Sequence, residues 1–386
     1  MKRVLFIGHD ASRSGAPLVL LYFLRRLKKS LPPFKIDLLL LRGGELENEY
    51  REIADEFFIF PENDSPQILA RGFRFLKKKL GLEKIFPKSA PFDRKYDVVF
   101  GNTAVSLEYL KHFKEKKSRT VCWLHELEYA VKISCGGRFA ELAHYADYFI
   151  ATSKAVENML RGFGIEKNIQ TAYGFIETET KQSVSSVEIE KLKTALGIPK
   201  NAFVIGGSGT IEWRKGVDLF LQIAARTANK KDIYFLWVGG KSPHSGVEYE
   251  QIQHDLARLE TGGKVVFTGR VKNPQSYFSA MDLFALTSRE DPFPLVCLEA
   301  ASFGKPIICF EKAGGMPEFV EDDAGAVVSY GDTEAFADKI FYFYENRNEL
   351  KKRGAAAREK LLSKFSAEIS YRKIEAVLHE ASVNGK

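Results

Sequence analysis

Two carboxylates, Asp291 and Glu299, flank a proline-rich turn and are separated by seven residues. The apolar run after the turn predicts a helix, which places Asp291 in the loop and Glu299 about one and a half turns into the helix. The first N–H groups of a helix have no partner within it and form a ready site for phosphate. The two carboxylates lie on either side of this phosphate site, so that one can accept hydrogen bonds from sugar hydroxyls and the other from ribose hydroxyls. The pattern therefore suits a sugar nucleotide. The structural alternative is an aspartate near the positive end of a helix, which contributes about 0.3–1 kcal/mol.

A glycine-rich turn followed by two cations is the second pattern. The apolar run 203–207 predicts a strand, and the chain continues through Gly209, Arg214, Lys215 and Gly216 into an apolar helix. Glycines let the backbone approach a ligand closely, and two adjacent cations can neutralise a diphosphate. The spacing matches neither the dinucleotide-binding fingerprint nor a Walker loop, so both are excluded. An ordinary structural turn is the alternative for this motif taken alone.

With both motifs, the chain resembles glycosyltransferase family 4, a group of retaining sugar-nucleotide transferases with the GT-B fold. Asp291 and Glu299 resemble the Glu-x7-Glu signature of that family, with Asp in the first position, and the Arg-Lys-Gly turn resembles its diphosphate clamp. The arginine that the family usually carries five residues before the lysine is replaced by Thr210, and Arg214 is the candidate to supply that charge. The resemblance spans nearly the whole chain and is strongest over 203–318.

The resemblance implies a role for each of five side chains. Asp291 would hold the sugar 3- and 4-hydroxyls, Glu299 the ribose, and Arg214 and Lys215 the charge on the leaving diphosphate. His125, directly after a predicted strand, would contact the donor sugar near its 6-hydroxyl and the reacting carbon. The predicted catalytic residues are therefore His125, Arg214, Lys215 and Asp291. The predicted donor-binding residues are Gly15, Ala16, Gly209, Thr210, Arg270, Val271, Phe293, Pro294, Leu295, Val296 and Glu299.

The prolines of the acidic motif limit how its backbone can bind. Neither Pro292 nor Pro294 has an N–H group to donate. Contacts from this loop to sugar and phosphate must therefore come from the backbones of Phe293, Leu295 and Val296. The two prolines also stiffen the loop and so hold the preceding aspartate in place.

Several candidate residues have structural alternatives. A lone histidine after a strand, such as His125, is more often structural, and the resemblance is what favours a ligand contact. Ser153–Lys154 is better explained by helix capping. Glu318 follows a Gly-Gly turn and is as well explained by a helix start as by a ligand, and the acidic run 321–323 is expected to be a solvated turn. No metal or other cofactor is predicted, because in the resembling family cations and helix dipoles offset the leaving charge.

Composition sets further limits. A chain of 386 residues is too long for one ordinary core and suits two domains. The four cysteines have no metal-ligand spacing, which favours buried thiols in a reducing cytosol over disulfides or zinc. The start of the sequence does not resemble a signal peptide, and no apolar stretch is long enough to span a bilayer. The expected location is therefore cytoplasmic.

Short β-rich runs alternate with helical stretches along the chain, the pattern of parallel sheets covered by helices on both faces. The predicted strands are 4–8, 36–41, 57–60, 98–100, 120–124, 148–151 and 169–172 in the first half, and 203–207, 234–238, 265–268, 283–287, 306–310 and 326–328 in the second.

This order predicts an α/β protein with two Rossmann-like, doubly wound parallel-sheet domains that face each other across a cleft, with ligands at the carboxyl ends of the strands. The polar stretch 177–200 is interpreted as the interdomain connection. The resemblance to GT-B enzymes adds a C-terminal helix that crosses back to the first domain. The predicted boundaries are 1–175 for the acceptor-side domain, 176–364 for the nucleotide-sugar donor domain and 365–386 for the returning helix.

Positive charge is concentrated in the first half of the chain. Residues 1–170 hold 29 Lys and Arg against 21 Asp and Glu, a net charge of +8, whereas the remainder has a net charge of −1. The segment 71–88 interleaves cations with aromatic and aliphatic residues, which suits peripheral contact with the anionic inner face of a membrane. The alternative is a solvated helix face with its apolar side in the core. Nucleic acid is disfavoured as a partner, because no recognised binding module accompanies the charge.

The resemblance implies a retaining hexosyltransferase that uses a UDP-sugar, with UDP-glucose as the expected donor. The expected acceptor is a hydroxyl of a glycan or lipid-linked glycan in surface or extracellular polysaccharide synthesis. Two alternatives are an epimerase of GT-B architecture that acts on a sugar nucleotide and a non-catalytic protein that binds one. An assay of donor hydrolysis would separate the three.

Overall fold

Strands and helices alternate along the chain in a computed structural model that describes residues 1–30, 34–60, 89–177, 184–241, 247–259, 261 and 263–383. The strands are β1 (Arg3–Gly8), β2 (Lys35–Leu40), β3 (Glu56–Ile59), β4 (Val98–Asn102), β5 (Arg119–Leu124), β6 (Tyr148–Ala151), β7 (Ile169–Thr171), β8 (Phe203–Ser208), β9 (Ile233–Val238), β10 (Val265–Phe267), β11 (Leu283–Leu286), β12 (Ile307–Phe310) and β13 (Gly325–Val328). The helices are α1 (Gly15–Leu27), α2 (Glu47–Ile53), α3 (Leu107–Glu115), α4 (Glu128–Cys135), α5 (Phe139–Ala143), α6 (Lys154–Gly162), α7 (Ser186–Ala195), α8 (Val217–Arg226), α9 (Glu248–Leu256), α10 (Gln275–Ala280), α11 (Leu295–Ser302), α12 (Met316–Val320), α13 (Thr333–Glu345), α14 (Arg347–Ser363) and α15 (Ala367–Val383). Two short 3₁₀ turns, Ala104–Ser106 and Trp213–Lys215, precede α3 and α8.

The described strands form two parallel sheets. The first has the order β3-β2-β1-β4-β5-β6-β7 and the second the order β10-β9-β8-β11-β12-β13. In each sheet the strand order reverses direction beside the first strand, between β1 and β4 and between β8 and β11. Such a reversal is where doubly wound sheets bind ligands. The predicted fold class is confirmed, and every predicted strand is present with its ends shifted by at most two residues.

A cluster of aromatic rings fixes the strands that end at the reversal in the first sheet. Phe6 in β1, Phe100 in β4 and Trp123 in β5 are fully buried. The ring of Phe23 in α1 lies 6.0 Å from those of Phe100 and Trp123, and Phe6 lies 5.1 Å from Phe100. Because these rings are rigid and closely packed, they hold the carboxyl ends of β4 and β5 against the start of α1.

The second sheet has its own core between β8, β9 and α8. The ring of Phe220 in α8 packs 5.1 Å from the rings of Phe235 and Trp237 in β9, and all three are buried. This packing fixes the turn between β8 and α8, which carries the predicted diphosphate clamp.

The chain divides into two compact units. Unit 1 comprises Met1–Thr152, Glu157–Ala172 and Tyr371–Lys386, and unit 2 comprises Ser153–Val156 and Tyr173–Ser370. The last helix, α15, therefore belongs to unit 2 at its start and to unit 1 over most of its length. The described part of the stretch 177–200, interpreted from the sequence as a connection, contains α7 and lies in unit 2.

Three composition-based predictions concern the cysteines, membrane-spanning stretches and the basic segment. All four cysteines are buried free thiols, as predicted. None of the described helices is long and apolar enough to cross a bilayer. The basic segment 71–88 lies outside the described residues.

Candidate active site

The acidic motif lies at the carboxyl edge of the second sheet, in the connection from β11 to α11. Asp291 is in the loop and Glu299 is in the second turn of α11, as the sequence predicts. The strand order brings this loop next to the turn after β8, because β8 and β11 are neighbours in the sheet. The two motifs, some 76 residues apart in the sequence, therefore meet at one edge.

Asp291 and Lys215 form a close ion pair there. Lys215 Nζ lies 2.5 Å from Asp291 Oδ2, and Ser288 Oγ donates to the same oxygen at 3.2 Å. Arg214 Nη1 lies 3.7 Å from Asp291 Oδ1. Asp291 is only 5% exposed. Burial by itself would raise the pKa of Asp291, but the charges of Lys215 and Arg214 outweigh it and lower the pKa, so the carboxylate is ionised at neutral pH.

Arg214 is anchored by both ends of its guanidinium group. Nη1 donates to the carbonyl of Glu290 at 3.0 Å, and Nη2 donates to Glu212 Oε1 at 2.8 Å. The Arg214 carbonyl in turn accepts from the N–H of Arg289 at 2.8 Å. Burial disfavours its charged form, but Asp291 and Glu212 outweigh this and raise the pKa of Arg214. Arg214, the candidate to supply the charge of the missing family arginine, is thus held beside the Lys215–Asp291 pair.

Two glycines allow the loops to approach this closely. Gly216 has φ of 63°, and a Cβ atom there would lie 1.9 Å from the Thr287 carbonyl oxygen. Gly314 has φ of 138°, and a Cβ atom there would lie 1.7 Å from the carbonyl oxygen of Asp291. The N–H of Asp291 also donates to the carbonyl of Ala313 at 2.7 Å. The segment from Thr287 to Asp291 is therefore held at both ends by backbones that tolerate no side chain at the contact.

The N-terminus of α11 has no side-chain cap. Asp291 does not cap this helix, because its carboxylate bonds to Lys215 and Ser288 instead. The ring of Phe293 packs 5.0 Å from Tyr173, which leaves its backbone as the group available to a ligand. The free N–H groups of the first helical turn begin with Leu295 and Val296, at the positions that the sequence predicts.

Glu299 differs from Asp291 in its surroundings. Its side chain keeps some surface exposure, but no described residue donates a hydrogen bond to its carboxylate. Burial raises the pKa of Glu299 to about 7. The group is therefore a polar acceptor without a protein partner among the described residues, and it is close to half ionised near neutral pH.

Three glycines tie together the turns after β8, β9 and β10. The N–H of Gly239 donates to the carbonyl of Gly269 at 3.1 Å, and a Cβ atom on Gly239 would lie 2.1 Å from the carbonyl oxygen of Gly209. These contacts place three successive turns side by side at the carboxyl edge. The predicted donor-binding residues beside these glycines are Thr210, Arg270 and Val271.

In unit 1 the structure brings together His125 and the start of α1. His125 Nε2 lies 2.8 Å from Oδ1 of Asn102, and Nδ2 of Asn102 donates to the carbonyl of Ala16 at 3.1 Å. Burial and the neighbouring His9 lower the pKa of His125 to about 3, so its imidazole is neutral. Gly15, the first residue of α1, is exposed, and a Cβ atom there would meet no atom within 4 Å.

Sequence reasoning missed Asn102 and the role of Glu318. Asn102 is the polar last residue of the apolar strand β4, and that position at a carboxyl edge is the signal that would have identified it. Glu318 accepts hydrogen bonds from the N–H groups of Lys154 at 2.9 Å and Ala155 at 2.8 Å, so it closes the start of α6 rather than facing a ligand. Ser153 Oγ accepts from the N–H of Val156 at 3.2 Å, which confirms the predicted capping.

The acidic run 321–323 is an exposed turn, as the sequence predicted. Glu321 and Asp323 each keep about half of their side-chain surface exposed, but both pair with Lys360, whose side chain is 6% exposed. The cause is α14, which carries this lysine to the turn from a distant part of the sequence. Within the described ranges, no group of three or more His, Cys, Asp or Glu residues is arranged to hold a metal ion.

Two Rossmann-like parallel sheets, with a carboxylate, two cations and an open helix N-terminus at the carboxyl edge of the second, define a protein of the GT-B class. The model of the family "Glycosyl transferases group 1" matches residues 188–360, which contain both motifs. The resemblance inferred from the motifs is confirmed over this region, which matches the glycosyl transferases group 1 family.

Curated relatives and solved structures agree with this assignment. The chain is 27% identical over 224 residues to N-acetyl-alpha-D-glucosaminyl L-malate synthase of Bacillus anthracis, covering 57% of this chain and 56% of the relative. It is 26% identical over 204 residues to the lipopolysaccharide core biosynthesis mannosyltransferase LpsB of Rhizobium meliloti, covering 52% and 58%. The chain thus spans little more than half the length of these relatives.

The structure of HepE from Anabaena in complex with UDP-glucose superposes with a TM-score of 0.78 at 21% identity. The match covers 98% of this chain and 100% of HepE. At this level of identity the similarity shows that the two proteins share a fold.

Proposed function

We propose that this protein is a retaining hexosyltransferase that moves glucose from UDP-glucose to a hydroxyl of a glycan or lipid-linked glycan acceptor. The observation that carries the proposal is the Lys215–Asp291 pair, with Arg214 beside it, at the same loop as the open N-terminus of α11. The complex of HepE with UDP-glucose supports the donor, and the name of LpsB, a lipopolysaccharide core biosynthesis mannosyltransferase, supports the class of product.

The site suits cleavage of the bond between the anomeric carbon and the diphosphate. Negative charge grows on the departing diphosphate as that bond breaks, and Lys215, Arg214 and the first N–H groups of α11 stabilise it. Loss of one such preorganised group costs about 10²–10³ in rate, or about 3–4 kcal/mol. Asp291 holds sugar hydroxyls and Glu299 the ribose, and the leaving phosphate takes the proton of the acceptor hydroxyl, so no protein nucleophile is needed.

The ion pair also explains how Lys215 can be ready before the donor binds. Its ammonium group lies 2.5 Å from the buried carboxylate of Asp291, which holds the lysine side chain at the site. A diphosphate adds a second anion beside an ammonium group that is already in place. Because cations and helix N–H groups supply all the positive charge in this scheme, we expect turnover to continue in the presence of a chelator.

Donor identity is tested first by binding. Calorimetry with UDP, GDP and ADP, and then with their glucose conjugates, should show the tightest binding for the uridine compounds. Tighter binding of a GDP-sugar would refute the assignment of the base.

Activity is tested by following UDP-glucose with the full chain by proton NMR. Release of UDP with glucose as the sugar product is the result expected for a transferase acting on water. A product with altered sugar configuration would identify an epimerase, and binding without turnover would identify a non-catalytic protein. Lys215→Ala is the matched inactive control, because it removes the clamp charge and leaves the sugar ligands in place.

Acceptor location is tested with vesicles. If the acceptor is lipid-linked, the basic segment 71–88 should bind anionic membrane reversibly and in a salt-sensitive way, at about 1 kcal/mol per cation. Charge reversal at Lys77, Lys78 and Lys79 should weaken flotation with anionic vesicles and leave hydrolysis of the soluble donor unchanged. Absence of flotation at low salt would favour a soluble acceptor.

A further inference from the structure

The side chain of Asn102 joins two groups of different chemistry at the carboxyl edge of the first sheet. It is fully buried at the end of β4. One end of its amide faces the backbone carbonyl of Ala16 in the first turn of α1, at 3.1 Å. The other end faces Nε2 of His125, directly after β5, at 2.8 Å.

Only one assignment of donors and acceptors is chemically possible for these two contacts. A backbone carbonyl can only accept, so the amide nitrogen of Asn102 must be the atom that faces Ala16. The amide oxygen then faces His125, and because that oxygen can only accept, Nε2 of His125 must carry a proton. The orientation of the asparagine and the tautomer of the histidine are thus set together by a carbonyl in α1.

The imidazole carries no second proton. Burial is the main cause that lowers the pKa of His125 to about 3, and the charge of His9 adds to it. The ring also lies 4.7 Å from that of Trp123, which fixes its plane. The adjacent Glu126 carboxylate is engaged by the backbone N–H groups of His125 and Ala104 at 2.9 and 3.1 Å. Nδ1 of His125 therefore bears a lone pair, and no described residue hydrogen-bonds to it.

We propose that Asn102 is a positioning residue that holds His125 in the Nε2–H tautomer, which leaves Nδ1 as the acceptor in the sugar contact that the family resemblance implies for this histidine. This proposal rests on the proposed function. It assigns His125 a hydrogen-bond acceptor role and excludes it as a proton donor to the leaving group. The consequence is selectivity: a neutral acceptor favours a hydroxyl at that place and disfavours a sugar that lacks it.

The tautomer is tested by NMR of the full chain labelled with ¹⁵N-histidine. Long-range proton–nitrogen correlations at neutral pH distinguish the two tautomers, and the signal of His125 is assigned by its loss in His125→Gln. The wild type should show a protonated Nε2 and a bare Nδ1. Asn102→Asp retains an acceptor for Nε2–H and should keep the Nε2–H tautomer of His125. Asn102→Leu removes that acceptor and should give a mixture of the two tautomers. The other six histidines serve as the internal control for folding.

Turnover of deoxy-sugar donors tests the contact with substrate. A neutral hydrogen bond contributes about 0.5–1.5 kcal/mol, so Asn102→Leu should lower kcat/KM for UDP-glucose by about 3- to 10-fold. For the one singly deoxygenated donor that lacks the bonded hydroxyl, the same substitution should have no effect. Equal losses for every donor would overturn the hydroxyl contact, and a wild-type Nδ1–H tautomer would overturn the proposal whatever the activity. Absence of turnover by wild type with an intact Nε2–H tautomer would instead refute the proposed function.

Discussion

Glu299 is an acidic residue in a largely apolar helix. The Glu299→Gln substitution measures how much the burial of its carboxylate lowers the free energy of unfolding. Burial raises the pKa of Glu299 to about 7, against 4.5 for an ordinary glutamate. The folded protein therefore holds this proton more tightly than the unfolded chain, so stability falls as pH rises through this interval and stays low above it. At about 1.4 kcal/mol for each pH unit, the interval corresponds to about 3 kcal/mol. Because the side chain keeps some exposure, we expect about 2–3 kcal/mol.

Urea unfolding at about pH 5 and about pH 8 tests this value. Two of the three tryptophans, Trp213 and Trp237, lie in unit 2, so fluorescence in a Trp123→Phe background reports on the unit that contains Glu299. The Glu299→Gln variant should be more stable than its parent by about 2–3 kcal/mol near pH 8 and by less than about 1 kcal/mol near pH 5. Glu359→Gln, at an exposed position of α14, is the control. If the free energies of unfolding of the parent and of Glu299→Gln change with pH by the same amount, the reasoning is refuted.

Under the proposed function, the same substitution should have the opposite effect on ligand binding. An ionised carboxylate accepts ribose hydroxyls more strongly than a neutral amide, by about 1.5–3 kcal/mol for a hydrogen bond to a charged group. UDP should therefore bind Glu299→Gln about 10- to 100-fold more weakly near pH 8, and wild-type affinity should fall as pH decreases through about 7. Calorimetry with UDP measures both. Equal affinity of wild type and variant near pH 8 would exclude Glu299 as a ribose ligand.

Three further substitutions test the surroundings of the site. Under the proposed function, Lys215→Ala should lower kcat by about 10²–10³ with a smaller change in KM, because the charge would act mainly in the transition state; an unchanged rate of UDP release would contradict the clamp. Gly314→Ala places a Cβ atom 1.7 Å from the Asp291 carbonyl oxygen and should cost more than about 3 kcal/mol, seen as a lower Tm or loss of soluble protein. Glu318→Gln leaves one oxygen for two helix N–H groups and should cost about 1–2 kcal/mol; an unchanged Tm would show that the cap contributes nothing.

The sequence predicts the strands well because each is a nearly continuous apolar run that ends at a polar or glycine residue. Val4 to Ile7 in β1 and Val98 to Phe100 in β4 are fully buried, as expected for strands covered on both faces. Helix α7 gives no such signal. Its face toward α10 is partly polar, with Ser276 Oγ donating to Glu188 Oε1 at 2.5 Å, so apolar spacing could not identify it.

The candidate site likewise combines features that are visible in a short stretch of sequence with contacts between residues that are far apart in the sequence. The types and spacing of Asp291 and Glu299 are local and are visible in the sequence. The pairing of Asp291 with Lys215 joins residues 76 positions apart, and the bonds from the backbone of Lys154 to Glu318 span 164 positions. These contacts depend on which strands and helices become neighbours, and alternation of elements alone does not determine that order. Polar residues that end apolar strands, as Asn102 does, are the signal by which such partners could be sought.

The two carboxylates of the acidic motif are equivalent in the sequence and opposite in their electrostatics. Two cations keep Asp291 ionised despite its burial, whereas Glu299 has no described partner and titrates near neutral pH. A buried ion pair adds little net stability, because desolvation offsets much of the attraction, and an unpartnered buried acid reduces stability. Neither arrangement is explained by folding alone. Both are explained if the site is built for a ligand that brings negative charge to Lys215 and hydroxyl donors to Glu299.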